Sequence, residues 1–304
     1  MMLANIILGA VEAGAEIVGV FRYEQTCGSK LKLFLRDFFK PSPEVTLIKK
    51  LKLTEIRMDS ANSEYFQRLL INLNPDLMLV GTWREKILPQ TFNIPSIATV
   101  NVHPSLLPKY RGTNPYMQTI LHGEKYSGVT LHLMNEEYDA GAVLKQEKIM
   151  ITDNDTAKDL RIRTVHEARR LVTELINDLK EHALVPVEQD EKQATYFPNV
   201  TADEMMLDFT IQTSVEISRI IRALHPFLPA YITHKDNFFI VDPYHFEIFG
   251  TSSAPAGSII DKNSKKAALS IVCKDSKIIR FYNLKLYKSG AVKRYIDKNV
   301  DIFK

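Results

Sequence analysis

Three features predict an α/β chain with an open, mostly parallel twisted sheet, followed by a small C-terminal β-barrel. Strand-like and helix-like stretches alternate through the first half of the chain, the pattern of parallel strands covered by helices. Runs such as Asp76–Gly81 are continuously apolar, as strands buried on both faces are. Beyond residue 200, short strand-like runs are separated by Gly and Pro turns, which suits a small barrel.

The elements follow in order. Met1–Ala15 reads as a buried amphipathic helix rather than a secretory leader, because it lacks a basic start and Glu12 interrupts its apolar run. Glu16–Phe21 reads as a strand. Asn62–Asn74 has helical spacing at Tyr65, Phe66, Leu69, Leu70 and Leu73. Thr113–His122 predicts a helix and Gly128–Met134 an alternating strand. Asp155–Glu181 predicts one long helix with Leu160, Val165, Ala168, Leu171, Leu175 and Leu179 inward. The expected domains are 1–183 and 201–304, with a Pro-containing polar linker at 184–200. In the second, a helix at Ser214–Leu224 precedes strands near Phe238–Val241, Ala268–Val272 and Ile278–Tyr282.

Composition is that of a soluble globular protein, with 45% hydrophobic and 25% charged residues. No stretch reaches the roughly 18 apolar residues of a membrane helix, so no membrane partner is expected. Cys27 and Cys273 form no metal or redox pattern, and a reduced, cytoplasmic setting is the default. The net charge of +3 is uneven: Asp261–Lys304 holds 12 Lys and Arg against 4 Asp and Glu. Such a block suits either solvated surface or a nucleic-acid footprint.

The chemistry concentrates in Asn101-Val102-His103-Pro104-Ser105-Leu106-Leu107-Pro108-Lys109-Tyr110-Arg111-Gly112. It follows the apolar run Ile97–Val100. Asn101 and His103 are two apart at a strand's end, so their side chains share a face. A carboxamide beside an imidazole can polarise a carbonyl and move a proton, as acyl transfer requires. Further blocks lie downstream at Gly123-Glu124-Lys125, Gly128-Val129-Thr130-Leu131-His132-Leu133-Met134 and Asp139-Ala140-Gly141. His122 and His132 flank the motif, but their spacing fits no usual zinc pattern, and no metal is expected.

Taken together, these blocks resemble the formyltransferases that use 10-formyltetrahydrofolate, from about residue 14 to 182 and more weakly to the end. The resemblance implies a Rossmann-like catalytic domain and a C-terminal barrel that helps select the acceptor. It implies Asn101, His103 and Asp139 as the catalytic trio, with Asn101 and His103 donating to the oxyanion and Asp139 orienting the imidazole. Folate would lie between two loops, one contributing Thr82, Trp83, Arg84, Ile87 and Leu88, the other Met134, Glu137 and Tyr138. Ser105, Tyr110, Arg111 and Gly112 would face the acceptor, Arg111 meeting an anionic group or making a structural salt bridge. Members of this family usually open with an apolar strand and a Gly-containing loop, whereas this sequence starts at the helix.

The resemblance implies a primary amine as acceptor. Arg111-Gly112-Thr113-Asn114-Pro115-Tyr116 and His132 resemble members that formylate the 4-amino group of nucleotide-linked sugars. Methionyl-tRNA formyltransferases typically have Arg-Gly-Ala-Ala-Pro and Met at those places, yet the basic C-terminal block would suit tRNA. A formyltetrahydrofolate hydrolase shares the trio but lacks the barrel. An RNA-binding inactive homologue would have no need of an intact trio.

Overall fold

The computed structural model describes residues 1–23, 42–234, 237–263, 268–282 and 284–288. Cys27 and part of the basic stretch after Asp261 lie outside these residues. The chain forms two compact units. The first comprises Met1–Arg111, Gly128–Ile149 and Ile162–Tyr196; the second takes Gly112–Ser127, Met150–Arg161 and the chain from Phe197 onward.

In chain order the elements up to residue 150 are α1 (Met2–Glu12), β1 (Val20–Tyr23), α2 (Pro43–Leu51), β2 (Glu55–Met58), α3 (Glu64–Leu73), β3 (Leu77–Val80), α4 (Pro89–Phe92), β4 (Ala98–His103), β5 (Arg111–Gly112), α5 (Pro115–Leu121), β6 (Tyr126–Leu133) and β7 (Val143–Met150). β1 pairs with β2 in parallel. A four-stranded sheet has the order β3-β4-β6-β7, with β3–β4 parallel and β4–β6 antiparallel.

Local chemistry explains the boundaries. Ser63 caps α3 by accepting the Phe66 N–H at 3.2 Å, which satisfies one orphan donor of the first turn. Asn74 then ends the helix in the left-handed region at φ 45°. β1 begins at Val20, four residues after the predicted strand start: Glu16–Gly19 run outside the ladder. β6 also departs from expectation. Six consecutive residues, Ser127–His132, are buried, so the strand is covered on both faces and its alternation of residue types does not mark a solvent side.

The core explains why the sheet stands where it does. Val100, Val102, Val129 and Leu131 pack with Met2, Ile6 and Ala10 of α1. On the long helix α6 (Ala157–Lys180), Val165, Ala168, Leu171, Val172 and Leu175 complete that cluster at helical spacing. A second cluster gathers Phe66, Leu70, Val80, Ile87 and Phe92. β3 serves both: Leu77 and Leu79 face the first cluster, Val80 and Met78 the second.

The second unit includes α5 and, after the short strand β8 (Tyr196–Phe197), the helix α7 (Ser214–Leu224). Thr213 and Glu216 form a complete capping box on α7. The strands β9 (Ala230–His234), β10 (Asn237–Val241), β11 (Phe246–Thr251), β12 (Ile259–Asn263), β13 (Ala268–Val272), β14 (Lys277–Phe281) and β15 (Lys285–Lys288) follow. They form a β15-β10-β9 sheet and a β11-β14-β13-β12 sheet, with antiparallel pairing in both. Phe281 is fully buried between Phe209 and Phe246. Among the described residues no helix is long and apolar enough to cross a membrane.

α1 meets α6 through Gly9, where an added Cβ would lie 2.5 Å from the Arg169 carbonyl oxygen and 3.0 Å from Val172 Cβ. Both neighbours are fixed by α6, so Gly9→Ala is expected to lower the unfolding free energy by about 1–3 kcal/mol. Denaturant titration tests this; an unchanged midpoint would show that α1 can move off α6 without loss.

Candidate functional site

The site begins with strand register. Asn101 of β4 lies between Val80 of β3 and His132 of β6 as direct Cα partners. Cross-strand partners present their side chains on one face, so the Asn101 carboxamide meets the His132 imidazole. His103, two residues further on, shares that face. Asp139 comes from the β6–β7 connection and holds φ at 55°, a left-handed conformation that costs energy in any residue with a side chain.

Three of these side chains converge on one atom of the fourth. Asp139 Oδ1 lies 3.3 Å from Asn101 Nδ2, 3.4 Å from His103 Nδ1 and 3.6 Å from His132 Nε2. Both imidazoles are buried and the carboxylate nearly so. A side chain at Gly141 would run into the Leu133 carbonyl oxygen, so the Asp-x-Gly spacing needs glycine for the connection to fold back onto β6.

The hydrogen-bond network assigns the tautomers. His132 Nδ1 is 2.8 Å from the Leu133 carbonyl and carries the proton; its Nε2 therefore accepts from Asn101 Nδ2 at 3.1 Å. His103 Nε2 donates to the Tyr110 carbonyl at 2.9 Å, leaving Nδ1 toward Asp139. The two Asn101 N–H groups and both His103 nitrogens are thus directed at protein atoms. Direct donation by both residues to an oxyanion, as the resemblance implies, requires at least one of these bonds to be exchanged. Burial pushes the His103 imidazole below its ordinary range, while Asp139 and the Tyr110 carbonyl pull it back up.

The other predicted residues fall into two groups. Trp83, Ile87 and Met134 pack in one cluster, and Lys86 Nζ sits 5.3 Å above the Tyr138 ring, so the two proposed folate loops are neighbours. Glu85 anchors the first loop by accepting from Ala61 N–H at 2.6 Å and Ser60 Oγ at 2.9 Å. Asn62 Oδ1 accepts the Leu88 N–H at 2.8 Å. Thr82, Arg84, Leu88, Glu137 and Tyr138 are exposed. Ser105 is fully buried, and its hydroxyl donates to the Lys109 carbonyl at 2.8 Å. Tyr110 is buried with φ 60°. Arg111 is buried too, its Nη1 and Nη2 donating to Glu191 Oε2 at 2.9 Å and Oε1 at 2.6 Å. Gly112 holds φ 95°. Among the described residues no group of three or more His, Cys, Asp or Glu is arranged to hold a metal ion.

The sequence profile of the formyl transferase family matches residues 11–176, more than half of the chain. The chain belongs to the formyl transferase family. It is 28% identical to a methionyl-tRNA formyltransferase of Enterococcus faecalis over 94% of this chain and 89% of that protein. Among solved structures, it superposes on WlaRD, a sugar 3N-formyl transferase crystallised with dTDP and 5-N-formyl-THF, with TM-score 0.64. That match has 19% identity and covers 93% of this chain and 94% of the other. It also matches HypX of Aquifex aeolicus at TM-score 0.61 and 16% identity, where 93% of this chain spans about half, 50%, of that protein. At these identities the structural matches speak to the fold.

Sequence reasoning gave two residues of this candidate site no part in it. His132 reads as a strand histidine with a local hydrogen bond, and it makes that bond; register alone reveals that it also holds Asn101. Gln189 lies in the predicted linker, and its Nε2 donates to the Asp139 and Gly141 carbonyls at 2.9 and 2.7 Å. No sequence pattern signals it.

His103 makes stability depend on pH. Its folded-state affinity for a proton is lower than the ordinary imidazole value of 6.5, so protonation favours the unfolded chain. That contribution is absent above the unfolded value and destabilises as pH falls below it. Between pH of about 7 and about 5, wild-type stability is expected to fall more steeply than that of His103→Asn, measured by urea titration at each pH. Parallel curves would mean His103 titrates normally.

Proposed function

We propose that this protein transfers the formyl group of 10-formyltetrahydrofolate to a primary amine, and that the acceptor is the 4-amino group of a nucleotide-linked sugar. The observation that carries the transfer reading is the convergence of Asn101, His103 and His132 on Asp139 Oδ1. The amine nitrogen attacks the formyl carbon, the carbonyl oxygen takes up negative charge, and the bond to folate N10 then breaks. Asn101 turns one N–H from Asp139 to the oxyanion. That bond is long, at 3.3 Å, and long bonds of this kind rearrange readily when substrate arrives. Asp139 opposes the effect of burial on His103, and that imidazole, taking a proton at Nδ1 in the reacting complex, adds positive charge at the same place. Asp139 accepts the amine proton, directly or through water, and passes that proton on to N10 as it leaves. The pterin lies between the Thr82–Leu88 loop and the Met134–Tyr138 loop, against Trp83, Ile87 and Met134. Flat apolar walls with backbone donors suit its aromatic face and amide-like edge.

Two features support a sugar acceptor. His132, the residue by which this chain resembles the sugar-directed members, is the direct partner of Asn101. The fold that this chain shares over 93% of its length with a sugar 3N-formyl transferase accommodates a sugar acceptor, without choosing the amino position. A second reading, methionyl-tRNA as acceptor, is favoured by the relative from Enterococcus faecalis and by the basic C-terminal residues. Both readings place the protein in solution, in the cytoplasm, with no metal.

The test is formyl transfer from 10-formyltetrahydrofolate, with nucleotide-linked amino sugars and charged initiator tRNA offered in parallel. Formylated sugar is the expected product; formylated methionyl-tRNA alone would replace the sugar with tRNA. His103→Ala and Asp139→Asn are each expected to reduce turnover by about 10²–10⁴-fold while folate binding survives. Wild-type turnover in either variant would sink the mechanism.

A further inference from the structure

We propose that Gln189 is a positioning residue for Asp139, part of a relay that runs Glu191–Arg111–Gln189 and ends on the backbone either side of Ala140. The proposal rests on the formyl-transfer reading and deepens it. It starts from the strained carbonyl segment that carries the carboxylate. Asp139 holds φ at 55°, a conformation that Asp adopts more readily than most residues but that still costs energy, so bonds to its backbone from outside the connection help to fix it. Gln189 supplies them: one carboxamide nitrogen donates to the Asp139 carbonyl at 2.9 Å and the Gly141 carbonyl at 2.7 Å. Both of its N–H groups are used, on two carbonyls two residues apart.

The amide cannot turn over. Its Oε1 accepts from Arg111 Nη2 at 2.8 Å and Nε at 3.3 Å. A flipped amide would set its NH2 against a guanidinium and its oxygen against two carbonyls, losing every bond. Arg111 is fixed in turn. It is buried, and its far edge is held by both carboxylate oxygens of Glu191, the fork-to-fork geometry that makes Arg–carboxylate pairs specific. That pairing holds the Glu191 carboxyl below its ordinary range. The Arg111 backbone N–H also donates to the Thr195 carbonyl at 2.8 Å, so both ends of the 189–195 stretch are tied to the same residue.

The relay is separable from the fold around it. The β6–β7 connection is independently closed by Leu133 N–H on the Ala142 carbonyl at 2.9 Å and by the tight fit of Gly141 under Leu133. Loss of Gln189 therefore removes two bonds from the Asp139–Gly141 backbone without opening the sheet. Three side chains depend on one Asp139 oxygen, and a displacement of about 1 Å at such a centre can cost on the order of 10²-fold in rate. Arg111 on this account orients catalysis through Gln189 rather than meeting an acceptor's negative charge.

Two variants of the full chain test this. Gln189→Glu keeps the length and the Arg111 pairing but removes both donors; Gln189→Leu keeps only the bulk. In each, kcat is expected to fall about 10–100-fold while KM for 10-formyltetrahydrofolate stays within about threefold. A second readout needs no substrate: NMR titration of the His103 ring. Asp139, His132, Arg111 and the Tyr110 carbonyl face that ring; Asp139 and, to a smaller extent, the Tyr110 carbonyl raise its proton affinity. With Asp139 released, the His103 midpoint is expected to fall in both variants. Wild-type kcat in a folded variant, or an unmoved His103 midpoint, would overturn the proposal. Should Gln189→Leu fail to fold, Gln189→Glu alone decides. Should wild type transfer no formyl group to any amine, the functional reading fails, and the His103 midpoint still decides whether Gln189 holds Asp139.

Discussion

One buried carboxylate oxygen organises this site. Asp139 Oδ1 is where an amide and two imidazoles meet, and such groups stay buried at tolerable cost only when they satisfy one another. Each element around it can be understood as meeting that requirement. β4 presents Asn101 and His103 on one face, β6 presents His132 opposite, and the β6–β7 connection folds back far enough to deliver the acid. The fold-back needs glycine at 141, and the acid's backbone takes a left-handed conformation that Asp tolerates better than most residues.

The two hydrophobic clusters of the first unit keep this polar centre in place. α1 and α6 cover one side of the β3–β4–β6 strands through Met2, Ile6, Ala10, Val165, Leu171 and Val172, and dense packing there leaves the strand ends little freedom. The second cluster reaches from Phe66 and Phe92 to Trp83 and Met134, linking the core to the loops proposed for folate. Met134 also donates its N–H to the Thr99 carbonyl at 2.9 Å, which ties the second loop to the strand that carries Asn101. Apolar packing thus sets distances among groups that carry the chemistry.

Much of the architecture was legible residue by residue. Helical spacing located α1, α3, α6 and α7 to within a few residues, because a buried stripe at period 3.6 survives any tertiary context. Ala268–Val272 was read to the residue. The misplacements have physical causes. Glu16–Gly19 is apolar enough for a strand, yet pairing in β1 begins only where Val20 meets Glu55 of β2. β6 alternates in residue type, yet Thr130 and His132 are buried as deeply as Val129 and Leu131. Thr130 manages this by donating to the Ser105 carbonyl at 2.7 Å and accepting from Gln146 at 2.8 Å, partners 25 and 16 residues away.

By itself the sequence determined most of the helices, the strand that ends in Asn-x-His, and the family, because periodicity and short motifs are written within a few residues. Tertiary structure alone decided what those residues touch. That Asn101 faces His132 follows from a register between strands 31 positions apart. That Arg111 is committed to Glu191 and Gln189 follows from an 80-residue return of the chain. That Gln189, in a stretch with the composition of a linker, supports Asp139 depends on two carbonyls placed by a glycine's missing side chain. Contacts of this range depend on the packed fold as a whole, and no local window of sequence contains them.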